Sequence, residues 1–147
     1  GIIDQPILQE RWLGVSGERS TFNGKPISVR PCPKLTDAYM YSTAPGMFPA
    51  GYAGPHRALT EQVKYFRWGG DCYAYGLLAM GYMDAVIESA LQPWDIQALI
   101  PIVEGAGGII TDWEGRPLTL ASGPRILAAG SPERHAEALA IVHKALI

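Results

Sequence analysis

Pro93-Trp94-Asp95-Ile96-Gln97-Ala98, followed by Glu104-Gly105-Ala106-Gly107-Gly108 and Thr111-Asp112-Trp113-Glu114-Gly115, is the stretch from which the rest of this chain is read. A proline that the first helical turn tolerates opens an apolar segment, glycines close it, and an apolar strand follows. Asp95 stands in that first turn, where the helix dipole and free amides favour an anion. A carboxylate there serves poorly as core and well for holding a cation in a cleft. Simple complementation of the helix end is the plain alternative. Magnesium sites combine one or two carboxylates with substrate phosphate and water, so one acid is enough for part of such a site.

A chain of 147 residues with 48% apolar content can build an ordinary globular core. Its net charge of -2 gives no electrostatic reason to expect nucleic acid or an anionic membrane as partner. The longest apolar run, around Leu99 to Ile110, is interrupted by Glu104 and small residues, and is too short to span a bilayer. The opening residues carry no charged, leader-like stretch, so secretion is not expected. Cys32 and Cys72 have no metal-type spacing and are too few for a disulfide framework. They read as reduced thiols of a cytoplasmic or plastid-like compartment.

Short apolar runs and turn signals alternate over the first thirty residues, and Asn23-Gly24 between apolar runs is a hairpin signal. This part reads as an antiparallel meander, and Pro31-Cys32-Pro33 as a crossover between layers. Ala38 to Thr43 is a buried-strand candidate, followed by a Gly- and Pro-rich loop from Pro45 to Pro55 and a helix from about Arg57 to Lys64. Tyr65 to Trp68 reads as a strand and Asp71 as the N-cap of a helix. Ala85-Val86-Ile87 is a strand, Pro93 to Val103 one helix, and 109–111 with 126–128 two further strands. Ser131-Pro132-Glu133 opens a last helix to about Ala145. Strands alternating with helices argue for a largely parallel α/β layer. The meander cannot complete a sheet unaided, so residues 1–33 read as the end of an N-terminal antiparallel domain and 34–147 as a C-terminal α/β domain.

Glu88 ends the 85–87 strand seven residues before Asp95. Ligand crevices form at the carboxyl ends of strands in open α/β sheets, so the two acids are expected to share one. Gly69-Gly70-Asp71 joins a strand end to a helix start, where glycines let backbone amides approach a ligand. Plain turn chemistry explains the same residues. Asp71 beside Glu88 would line the crevice with carboxylates, which suits a substrate with a cationic organic part. His56 is expected in a flexible loop, and His135 and His143 on the surface or flank of the last helix. No Ser-His-Asp or Cys-His arrangement stands out. The tryptophans and tyrosines read mostly as core, with Tyr73 and Tyr75 able to reach the crevice.

Taken together, Arg67-Trp68-Gly69-Gly70-Asp71-Cys72-Tyr73-Ala74-Tyr75, Ala85-Val86-Ile87-Glu88 and Pro93-Trp94-Asp95 resemble the second half of an inositol monophosphatase-family enzyme, over essentially the whole chain. Gly-Gly-Asp-Cys-Tyr is similar to the histidinol-phosphate phosphatase branch. The resemblance implies the layered α/β fold of inositol monophosphatases and fructose-bisphosphatases. It implies a magnesium (Mg2+) dependent phosphomonoesterase that converts L-histidinol phosphate to L-histidinol and phosphate, a step of histidine biosynthesis, and a homodimer. It also implies a metal-ligand role for Asp95 and substrate contacts for Gly69, Gly70, Asp71 and Glu88. The family's Glu-Glu pair and Asp-Pro-Ile-Asp-Gly-Thr motif do not occur in these 147 residues. No catalytic residue beyond the metal ligand is therefore expected here, and this chain alone is expected to be inactive. Phosphatase activity on inositol or another sugar phosphate, and a non-catalytic portion that needs another chain, are the alternatives.

Overall fold

The computed structural model describes residues 1–146. Four short strands, β1 (Ile2–Gln5), β2 (Glu10–Leu13), β3 (Thr21–Phe22) and β4 (Lys25–Pro26), form an antiparallel meander in sequence order. The Asn23-Gly24 hairpin is present. Both residues take positive φ (47° and 76°), and Phe22 pairs with Lys25 across them.

The second sheet holds β5 (Tyr39–Ser42), β6 (Tyr65–Trp68), β7 (Ala85–Glu88), β8 (Ile109–Asp112) and β9 (Ile126–Ala129), in the order β6-β5-β7-β9-β8. β5, β6 and β7 run parallel, and β9 is inserted antiparallel to both β7 and β8. Four of the five strands thus point the same way, as expected of a largely parallel sheet, with β9 the exception.

Helices α1 (Ala50–Thr60) and α5 (Pro132–Ala145) pack on one face of this sheet. Helices α2 (Asp71–Ala79) and α4 (Leu99–Gly105) lie between its other face and the meander, with the short α3 (Pro93–Ile96) before α4. Strict alternation makes this possible. Val86, Ile110, Ile126 and Ala128 face the α2/α4 layer, while Ala85, Ile87, Leu127 and Ala129 face α1 and α5. Trp12 and Ile3 carry the meander into the α2/α4 core.

Five expectations change. The helix expected over 57–64 begins at Ala50 and ends at Thr60, despite Pro55 inside it. Burial of Pro55, His56 and Leu59 outweighs the local propensity of a Gly- and Pro-containing segment. His56 is therefore a buried helical residue and not part of a flexible loop. The helix expected over 93–103 is interrupted between Ile96 and Leu99, because Pro101 cannot donate to the carbonyl four residues back. Asp71 is the first residue of α2 and Gly70 its N-cap. His135 is also buried, bonded to the Thr111 hydroxyl at 2.9 Å, while His143 is exposed.

The crossover at Pro31-Cys32-Pro33 is anchored on both sides. Arg30 makes a two-pronged ion pair with buried Asp84 (2.8 and 2.5 Å), whose carboxylate also accepts from the Tyr39 amide. Arg134 of α5 donates to the carbonyls of Cys32 and Pro33. Both cysteines are free thiols.

Two outcomes follow from this packing. A Cβ on Gly76 would lie 2.7 Å from the Trp12 ring, so Gly76→Ala should destabilise the protein by about 1–3 kcal/mol in urea unfolding. Burial lowers the His56 pKa from 6.5 to about 4. The unfolded chain then binds a proton that the folded one refuses, so stability falls as pH drops from 6.5 towards 4. His135, lowered for the same reason, acts in the same direction. The unfolding midpoint of His56→Phe should depend less on pH across that window than that of the wild type.

Candidate active site

β5, β6 and β7 end at the same edge of the sheet. Thr43, Asp71 and Ala90 from the segments that follow them, together with Glu88 at the end of β7, line one crevice. A cavity of about 580 Å³ lies there, floored by the sheet edge and walled by α2, α3 and β1. Asp71, Glu88 and Asp95 all line it, so the structure brings together the three acids singled out from sequence. Asp4 of β1 is a fourth lining carboxylate, held by Arg11 at 2.6 Å. No Lys, Arg or His is among the lining residues.

Glu88 is buried at 2% exposure. One carboxyl oxygen accepts from the Tyr75 hydroxyl at 2.7 Å, and the other from the Thr43 hydroxyl. Burial pushes its pKa up, the two hydroxyl donors pull it down, and nearby Asp71 adds a further upward push. Tyr75 is fully buried, and its phenol is raised well above the ordinary value, chiefly by burial.

Asp71 has φ +43°, a left-handed conformation that aspartate tolerates better than most residues. Gly69 has φ +89°, and its amide donates to the carbonyls of Ser42 and Thr43 at 3.0 and 2.9 Å. The two glycines shape the turn that carries Asp71, and neither lines the cavity. Cys72 lines it beside Asp71, with a thiol pKa raised mainly by burial.

Asp95 is exposed, and one of its oxygens accepts from the Gln92 amide at 2.8 Å. This reach-back bond is the helix-end role weighed from sequence. It holds the side chain on the cavity rim without using the other oxygen, for which the described residues offer no hydrogen-bond partner. Trp94 next to it is 77% exposed and also faces the cavity.

Among the described residues, no three His, Cys, Asp or Glu side chains gather closely enough to hold a metal ion. One hard carboxylate oxygen on the rim fits a single ligand position of Mg2+, which keeps waters and takes substrate phosphate for the rest.

Sequence reasoning missed Thr43 and Asp4. Thr43 lies one residue beyond β5, and Asp4 approaches through the meander, so neither carries a local motif. The structure also places Ser42 against His56 at 3.1 Å. The Ser42 hydroxyl donates to the Ile87 carbonyl at 2.7 Å, so its proton is committed and His56 must donate to it. Both residues are buried. The pair is structural and is not a nucleophile with its base.

The comparisons with known proteins agree with this fold. The sequence profile of the inositol monophosphatase family matches residues 1–146, and the chain belongs to that family. The "Bifunctional phosphatase IMPL2, chloroplastic" of Arabidopsis thaliana is 47% identical over 146 residues, covering 95% of this chain and 42% of its own length. A histidinol-phosphatase of Chlorobaculum parvum is 31% identical over 119 residues, covering 79% of this chain and 45% of its own. The solved structure of an inositol monophosphatase from Zymomonas mobilis superposes with a TM-score of 0.95 at 43% identity, over 97% of this chain and 56% of that one. The layered α/β fold is therefore that of the family. The chain spans about half the length of the relatives it matches. No helix among the described residues is long and apolar enough to cross a membrane.

Proposed function

We propose that this chain is the C-terminal portion of a magnesium-dependent phosphomonoesterase whose substrate is L-histidinol phosphate. The observation that carries this reading is the charge of the cavity. It offers Asp71, Glu88, Asp95 and Asp4 and no basic side chain. A phosphate dianion would be repelled unless a cation came with it, and the organic end of the substrate must satisfy the remaining carboxylates. L-histidinol phosphate meets both demands, with a phosphate at one end and an amine and imidazole at the other.

In this reading Asp95 would hold one Mg2+, and Asp71 with Glu88 would accept hydrogen bonds from the ammonium and imidazole groups. When bound, magnesium supplies charge neutralisation at the phosphoryl oxygens and acidity to an attacking water. The chain's own contribution is to fix the substrate's organic end, so that the phosphoryl group meets the rim where Asp95 stands. Trp94 and Leu91 line the cavity with it. Residues 1–33 would be the end of an antiparallel domain and 34–147 the α/β domain. The whole protein would act as a soluble homodimer in the cytoplasm.

Similarity to the histidinol-phosphatase supports this substrate. The likeness to the Zymomonas mobilis inositol monophosphatase favours a second reading, a polyol phosphate whose hydroxyls donate to the same carboxylates. A portion that is inactive without another chain is a third.

A substrate panel with the full-length protein and Mg2+ separates these readings. Asp71→Asn keeps a residue that tolerates positive φ and removes only the charge. It should raise KM for histidinol phosphate roughly tenfold, the worth of a charged hydrogen bond, with little change for inositol phosphate. Equal effects on the two substrates would sink the cationic reading. Asp95→Asn should raise the Mg2+ concentration for half-maximal activity by about tenfold or more, and chelation should abolish turnover of the wild type.

A further inference from the structure

We propose that Tyr75 and Thr43 are positioning residues that keep the Glu88 carboxyl ionised and aimed into the cavity, so that it selects a substrate bearing an ammonium over a neutral polyol. The selectivity rests on the function proposed above. The hold on Glu88 does not.

A carboxyl as buried as Glu88 takes up a proton unless donors replace its lost water. The other titratable groups on the cavity are acids and a thiol, and Asp71 among them favours protonation of Glu88. Asp71 and the Cys72 thiol come from α2, Asp95 from α3, and Asp4 from β1, the last partly offset by Arg11. Opposing this, besides the Thr43 backbone amide, are the two hydroxyls. One comes from α2 and one from the end of β5, and each meets a different oxygen of the carboxylate.

An ionised carboxylate only accepts, so both hydroxyls must donate. If Glu88 were protonated, the oxygen bearing the proton would be a much poorer acceptor for its hydroxyl donor, and Tyr75 is buried with no other hydrogen-bond partner among the described residues. The pair of donors therefore favours one charge state. A carboxylate offers about four lone-pair sites, so two remain for a ligand. A buried tyrosine needs some acceptor, and any backbone carbonyl would serve. Here the acceptor is the carboxylate at the end of β7, on the cavity. The Tyr75 ring sits in the α2 core beside Leu78 and Val86, which fixes where its hydroxyl points.

Charge state decides selectivity. An ionised Glu88 attracts an ammonium directly, whereas a protonated one offers a polyol both a donor and an acceptor and offers an ammonium far less.

The test uses the full-length protein. Tyr75→Phe removes one hydroxyl and keeps the ring; Thr43→Val removes the other at a half-buried position. The side-chain carboxyl carbon of Glu88, assigned by its loss in Glu88→Gln, is titrated by NMR in wild type and both variants. Glu88 should titrate at higher pH in each variant. In the Mg2+-loaded enzyme, the acid limb of kcat/KM for histidinol phosphate should move the same way. Its KM at neutral pH should rise on the order of tenfold, with inositol phosphate much less affected. An unchanged Glu88 titration in both variants overturns the inference. A shifted titration with equal changes on the two substrates supports the hydroxyls' hold on Glu88 and overturns the selectivity, along with the cationic reading beneath it. Thr43→Val decides the matter alone if Tyr75→Phe fails to fold, which circular dichroism reports.

Discussion

Helix α2 is apolar on two sides because it serves two sheets at once. Gly76 on one side lets the Trp12 indole of the meander lie directly against the helix backbone. Ala74, Tyr75, Leu78 and Ala79 are buried in the same layer, which also holds Val86 and Ile126 of the second sheet. Both ends of the helix are fixed by this sandwich, so its first residues cannot drift relative to the strand ends. Everything about the cavity depends on that. Asp71 and Cys72 reach it from the helix start, Tyr75 reaches it one turn later, and β1 closes its far wall because Trp12 docks the meander on the same helix. The interior is close-packed, so a shift at Trp12 would be passed on to Tyr75 and to the carboxylate it holds.

Much of the architecture could be read from the residues themselves. Asn23-Gly24, the 85–87 run and the Ser131-Pro132-Glu133 start all behave as their chemistry dictates, and Ser131 accepts from the Arg134 amide at 3.3 Å as an N-cap should. Two of the misreadings share a cause. Between Ala50 and Thr60 local propensity points away from a helix, and only packing on α5 and the sheet makes one. His56 followed that error, because a histidine on a loop and a histidine inside an aromatic cluster with Phe48, Phe66 and Trp68 look the same in one dimension. The break at Gln97-Ala98 needed attention to Pro101, whose effect falls four residues upstream.

The site was half visible. Asp71, Glu88 and Asp95 fall next to strand ends or helix starts, and parallel strands gather such positions at one edge. The groups that tune Glu88 carry no such mark. Thr43 is bonded to a residue forty-five positions away, and the part Tyr75 plays depends on which acceptor its buried hydroxyl finds. Contacts of that kind come from the way the layers stack, and no spacing rule encodes them.

The insertion of β9 against the grain of the sheet has a consequence for how this scaffold can vary. Beside the carboxyl end of β7 the neighbouring strand presents its beginning, so the chain entering β9 runs next to Glu88. The amide of Leu91, on the cavity wall, bonds the Pro124 carbonyl in that incoming segment at 3.2 Å. Residues 114–125 form a surface connection outside both apolar cores, apart from Leu118 at the edge of one. Changes in length or composition there would reach the pocket through Leu91 while leaving the sheet, the sandwiched helices and the three acids in place. This loop is the part of the molecule in which new substrates could be tried at the least cost to folding.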